Sequence, residues 1–165
     1  MKVVLDACVL YPTVMREVIL GAAQLGLFEP RWSARILEEW ARATIKLGPE
    51  AEVFARGEIA MLKAQFPQAE VAAPDSIIAK FWLPDPDDVH VLAAAVVGSC
   101  DAILTLNTKD FPRNLLTDEG LWRSAPDELL CRFLAEDQSA VTQVANDVLA
   151  EANRMSPQPW TMRAL

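Results

Sequence analysis

The sequence has a single histidine, three cysteines with no CxxC pair, and no apolar run of membrane length. His90 alone cannot build a histidine-rich zinc site, and Cys8, Cys100 and Cys131, odd in number, form neither a thiolate cluster nor a disulfide framework. The longest apolar stretch, Val91 to Val97 running on through Gly98 to Cys100, falls well short of the roughly 18 to 20 residues of a membrane helix. Only Val3, Val4 and Leu5 precede Asp6, too few for the apolar region of a signal peptide. A soluble, cytoplasmic protein with no membrane association is therefore the expectation. Basic charge is also scarce. Lys and Arg number 15 against 23 Asp and Glu, a formal net charge of −8, so the broad basic face of many nucleic-acid binders is missing. A bound divalent ion reverses the local sign, however, and keeps nucleic acid within reach.

What is present suffices for a packed domain: 165 residues, 52% of them hydrophobic. "KVVLDACVL" is a β-branched run interrupted by aspartate, as a buried parallel strand ends at its carboxyl edge. A helix follows, with Thr13 as its expected cap, Val14, Val18, Ile19, Ala22 and Leu25 at helical spacing, and Gly26 to close it. "LFEPRW" reads as a second extended piece, and Ser33 as the N-cap of "ARILEEWARATIKLG". Pro49 opens a further helix that runs to Pro67, and "AEVAA" is a weak strand. Pro84 and Pro86 force extended backbone ahead of Asp87, the expected cap of "DVHVLAAAVVGS". "DAILTL" is an interior strand, "RNLLTDEGLWRSA" shows no clear period, and two helices follow, from Pro126 and over Gln138 to Arg154. The tail "SPQPWTMRAL" is proline-broken and expected to be loosely held. Strands alternating with helices in this way predict an α/β domain around a small parallel sheet.

Ligands of such sheets gather at the carboxyl ends of the strands, and the acids of this chain fall there. Asp6 follows one strand, Asn107 and Asp110 follow another, and Asp88 opens the helix that feeds the second. Glu38 or Glu39 adds a third contribution from the helix after "LFEPRW"; neighbours point about 100° apart, and Glu39, beside Trp40, is the one nearer the apolar face. Each position also has an ordinary role. Asp6 can end a strand, Asp85, Asp87 and Asp88 can favour a helix dipole, Asp110 and Asn107 can close a turn, and His90 can simply sit beside a helix start. Independent caps have no reason to converge on one sheet edge, whereas a metal site requires it. Oxygen donors without histidine or thiolate suit Mg2+ or Mn2+, ions that polarise phosphate oxygens and activate water for phosphodiester hydrolysis. An aspartyl phosphotransfer site is disfavoured, since the second acid it would want two residues after Asp6 is Cys8.

The aspartate closing the first strand, a glutamate within "WSARILEEW", "DPDDVHVLAAA" and "DAILTLNTKDFP" together resemble a PIN domain over about residues 2 to 135, in its ribonuclease branch, which includes toxins of bacterial type II toxin–antitoxin pairs. The resemblance implies a three-layer α/β/α sandwich with a small central parallel sheet, a divalent metal held by Asp6, Glu39, Asp88 and Asp110, and cleavage of RNA. It also implies a cognate antitoxin, and the apolar fraction and weakly amphipathic helices allow a homodimer. On this view residues 1–135 form the nuclease domain, and 136–165 a C-terminal helix and tail packed on it. Asn107 departs from the commoner pattern, which carries a carboxylate at that turn; Asp110 is its substitute. Thr105 and Ser33 are then expected to hydrogen-bond carboxylates or waters around the site, and Arg16, Lys109 and Arg113 to contact phosphate. Asn107 also sustains a rival reading, a catalytically impaired PIN-fold scaffold or binding protein.

Overall fold

The structure, a computed structural model, describes residues 1–156 and 159–162; the expectation for the tail, where it concerns residues 157, 158 and 163–165, lies outside the described residues. Val3, Val4 and Leu5 have no solvent exposure, so β1 (Lys2–Leu5) is covered on both faces, as suits the interior of a parallel sheet. It pairs in parallel with β2 (Glu29–Arg31) on one side and β3 (Ala102–Leu104) on the other, and β3 carries β4 (Trp122–Ser124) as the far edge. The order is β2-β1-β3-β4.

Because β2 and β3 flank β1 on opposite sides, right-handed crossovers must run over opposite faces. The first crossover contains α1 (Ala7–Leu10) and α2 (Thr13–Gln24). The second contains α3 (Ala34–Ala43), α4 (Pro49–Gln65), α5 (Asp75–Ile78) and α6 (Val89–Val97), of which α6 packs directly on β1 and β3. After α7 (Arg113–Asp118) and β4, α8 (Pro126–Glu136) and α9 (Gln138–Met155) return to α2. The result is an α/β sandwich with helices on both sides of a parallel sheet.

Most elements fall where the sequence places them, and the exceptions have local causes. Ser33 caps α3 through its Oγ, which accepts from the Ile36 N–H, and Pro49 stands at the start of α4. Pro12 occupies the cap position of α2, so Thr13 is its first helical residue and no side chain caps it. Gly26 follows the end of α2 with φ 80°, a left-handed conformation that glycine adopts without steric cost. "AEVAA" forms no strand; a single parallel bridge joins Glu70 to Trp32. α7 and β4 lie in the stretch that showed no period: six residues and three residues are too short to display one.

α9 approaches α2 so closely that a Cβ on Gly21 would sit 2.8 Å from Val144 Cγ1. Valine is stiff at χ1, so the overlap cannot be relieved by a simple rotation. Gly21→Ala should gain about 1 kcal/mol of helix propensity but lose about 1–3 kcal/mol to overpacking. We expect a lowered thermal midpoint, and the opposite sign when the same substitution is made in a Val144→Ala background. Circular-dichroism melts of the four variants check this; additive effects in the two backgrounds would contradict it.

Candidate metal centre

Register brings the site together. Leu5 pairs with Leu104 across β1 and β3, so the residues that follow, Asp6 and Thr105, emerge side by side at the carboxyl edge of the sheet. The Asp6 N–H donates to Leu104 O at 3.0 Å, continuing the ladder one residue further. The Asp6 carboxylate, only 6% exposed, accepts at Oδ2 from Thr105 Oγ1 at 2.6 Å and from Cys8 Sγ at 3.1 Å. Thr105 Oγ1 in turn accepts from the Asn107 N–H at 2.9 Å, and Cys8 Sγ from the Leu106 N–H at 3.2 Å. Oδ2 is thus engaged twice, and among the described residues Oδ1 has no protein donor. Burial, followed by the nearby charge of Asp6, pushes the Cys8 thiol up to about 11, so it stays protonated at neutral pH.

Two short 3₁₀ turns supply the other acids. Pro86–Asp88 begins at Asp85, whose Oδ1 accepts from the Asp87 N–H at 2.9 Å; the capping carboxylate is therefore that of Asp85, and Asp87, the expected cap, supplies the N–H. Thr108–Asp110 begins at Asn107. Side chains three residues apart eclipse in a 3₁₀ turn, which stacks Asp85 over Asp88 and Asn107 over Asp110. Oxygens of Asp85, Asp88 and Asp110 all lie within 4.8 Å of one another. The Asn107 amide donates to Asp88 Oδ2 at 3.4 Å and to Asp110 Oδ2, so this amide bridges two anions that would otherwise face each other unshielded.

Asp88 records the crowding. Burial, and then the charges of Asp6, Asp85 and Asp110, push its carboxyl from 3.8 up to about 6, against a smaller opposing influence of His90. A carboxylate at a helix start ordinarily gains from the dipole, so a rise here means that like charge and desolvation outweigh it. An all-oxygen set of this kind fits a hard divalent cation, Mg2+ or Mn2+, better than a thiophilic metal.

Glu39 is held apart from that group by two partners of its own. His90 Nε2 lies 2.9 Å from Glu39 Oε1, and Arg35 Nε donates to the same oxygen at 3.2 Å. His90 belongs to the first turn of α6, two residues beyond Asp88, so this contact ties Glu39 to the helix start that carries an acid of the cluster. Glu38 faces the other way. It accepts from Arg42 at 2.8 Å and Arg56 at 2.9 Å, and hydrogen bonds from those two guanidiniums hold its carboxyl down at about 2.

Two expected roles are not met. Arg16 is 3% exposed; its guanidinium donates to Leu10 O at 2.8 Å and Glu58 at 2.8 Å and lies over the Trp40 ring, so it ties α2 to its neighbours and is not free for phosphate. Ser33 Oγ accepts at the α3 cap and, among the described residues, bonds to none of the acids. Lys109 and Arg113 are exposed beside the Asn107–Asp110 turn. Asp85 is the member of the acidic group that the sequence reading set only among the acids of a helix start. The available signal was Pro86: proline at a first helical position makes the residue before it the cap, one 3₁₀ turn from Asp88.

A family model described as PIN domain matches residues 2–109, a span that takes in Asp6, Glu39 and Asp88 and stops one residue before Asp110. No curated protein and no solved structure matches the chain. Among the described residues, no helix is long and apolar enough to cross a membrane.

Proposed function

Because this chain belongs to the PIN domain family, whose members are generally metal-dependent nucleases, we propose that it is a divalent-metal-dependent endoribonuclease that hydrolyses RNA phosphodiester bonds. The observation that carries the proposal is the convergence of Asp85, Asp88 and Asp110 within 4.8 Å, with Asp88 raised to about 6 by burial and its acidic neighbours. Anions packed this closely beside a core call for a counter-ion.

Asp6, Asp88 and Asp110, with Asp85 alongside, would hold the Mg2+ or Mn2+. When bound, such an ion supplies Lewis-acid polarisation of a phosphate oxygen and makes water a better nucleophile at neutral pH. Thr105 and Cys8 would fix the rotamer of Asp6 by donating to Oδ2, which keeps its Oδ1 available to an ion. Asn107 spaces Asp88 from Asp110. Glu39, oriented by His90 and Arg35, accepts a proton from the attacking water. Lys109 and Arg113 supply phosphate contacts at the rim. Residues 1–135 make up the nuclease unit and 136–165 an accessory helix and tail upon it. In the cell the reading extends to the cytoplasmic toxin of a toxin–antitoxin pair, a homodimer whose activity a cognate antitoxin masks.

The test is cleavage of end-labelled single-stranded RNA by the purified chain, with Mn2+ or Mg2+ against EDTA; EDTA-resistant cutting, or none with either ion, rejects the proposal. Side-chain partners separate the two glutamates. Glu39→Gln should slow cleavage by about 10²–10⁴-fold, the usual contribution of a positioned base. Glu38→Gln should leave the rate unchanged, since it alters only an exposed Arg network; equal rates for the two variants would remove Glu39 from the mechanism. The scaffold reading rests on Asn107, an amide where a carboxylate is commoner. Mn2+ titration distinguishes it, since a scaffold need not bind the ion.

A further inference from the structure

We propose that the cleft beside Glu39 is a nucleobase pocket, which takes the base of the nucleotide flanking the scissile phosphodiester in a single-stranded substrate. The word "scissile" rests on the nuclease reading; base binding does not. The cleft has a volume of about 730 Å³, within the roughly 300–1,000 Å³ of small-ligand sites, and lies between the start of α3, the extended segment 70–74 and α5. Its floor is apolar, formed by Val71, Ala72, Pro74 and Ile78, and suits the face of a flat ring.

Continuity with the metal centre comes from its polar wall. Arg35 and His90 both line the cleft, and they are the two side chains that hold Glu39, at 3.2 and 2.9 Å. His90 also stands in the first turn of α6, two residues beyond Asp88, which sets this wall beside the acids. The half-exposed guanidinium of Arg35 offers a planar surface for stacking.

His90 indicates which chemistry the pocket accepts. The ring is 2% exposed, and its Nδ1 has no hydrogen-bond partner among the described residues. Nε2 is taken up by Glu39, and a buried ring nitrogen left without a partner is costly. The edge of a nucleobase carries donors and acceptors together and can meet that nitrogen, whereas a phosphodiester carries acceptors alone. Asp75, also in the lining, repels phosphate and can accept from amines, and Glu70 is already paired with Lys63 at 2.7 Å, so the cleft favours the base over the backbone.

Filling the cleft without disturbing the core tests this. Ala72 and Ala34 are exposed lining residues, and Ala60 is an exposed residue of α4 outside the cleft. The double variant Ala34→Leu/Ala72→Leu and the control Ala60→Leu are compared with the wild-type chain in two measurements. The first is anisotropy of a fluorescein-labelled eight-nucleotide RNA with Ca2+ as the ion; the second is the distribution of cut positions on a mixed-sequence single-stranded RNA pool with Mn2+. Thermal midpoints confirm folding. The double variant should bind about tenfold more weakly or worse and lose the wild-type bias at the nucleotide beside the cut, with the control unchanged. Binding within twofold of wild type together with an unaltered cut pattern overturns the pocket while the nuclease reading survives. Weakened binding with no cutting by any variant, wild type included, overturns the nuclease reading and leaves the pocket standing.

Discussion

Asp6→Asn should lower metal-dependent RNA cleavage by about a thousandfold or more while the protein stays folded. The substitution keeps size and shape, and its backbone N–H still donates to Leu104 O, so the β1–β3 edge is undisturbed. What changes is charge and donor pattern. Thr105 Oγ1 and Cys8 Sγ both donate to Oδ2, so an asparagine must keep its carbonyl oxygen there and put its NH2, which cannot bind a cation, in place of Oδ1. One ligand and one negative charge are lost together. Because the charge of Asp6 helps raise Asp88, the same variant should bring the Asp88 pKa down from about 6 toward its ordinary value, a shift that carboxyl NMR titration reads without any catalysis. Cleavage at the wild-type rate by a folded Asp6→Asn protein would remove Asp6 from the site.

Mn2+ should raise the thermal midpoint at pH 7.5 by roughly 5–10 °C when the ion is a hundredfold above its dissociation constant. The linkage gain at that ratio is about 2.7 kcal/mol, and a domain of this size moves by about 2–4 °C per kcal/mol. The sign of the pH dependence follows from Asp88, raised from 3.8 to about 6. Between those values the folded chain binds this proton more readily than the unfolded chain. The contribution of Asp88 to metal-free stability is therefore favourable below about pH 4 and lost as pH rises through 6. Ionisation over the same interval creates the carboxylate that a cation needs. The Mn2+-induced shift should accordingly shrink as pH falls through 6 and approach zero near 4, and Asp88→Asn should abolish it throughout. A midpoint indifferent to Mn2+ at pH 7.5 would mean that the cluster does not hold the ion.

The difference between Asp85 and Glu39 shows how far a linear reading reaches. Glu39 was separable from Glu38 in the sequence because helical period assigns a direction to each residue, and Leu37 and Trp40 mark the buried side. Asp85 was not, because its position depends on a three-residue 3₁₀ turn, too short to leave any periodic trace. Arg16 failed for a related reason. Its place on α2 was legible, but its partners, Leu10 O, Glu58 and the Trp40 ring, come from three other elements, and 42 residues separate it from Glu58. Nor could the sequence reveal that His90 is buried against Glu39 with a free ring nitrogen, since that depends on how α3 meets the first turn of α6.

By itself, the sequence determined that an α/β domain forms around a buried parallel strand ending at Asp6, and that the chain has carboxylates, with one histidine and no thiolate cluster, to offer a cation. Those properties follow from local pattern and composition, which act over a few residues. Only the tertiary structure decided that β1 and β3 are neighbours in the register that sets Thr105 beside Asp6, which aspartates share a cation-sized space, and that a cleft opens next to Glu39. Each depends on contacts between segments tens of residues apart, whose distances are set by sheet order and helix packing and are written in no single stretch of the chain.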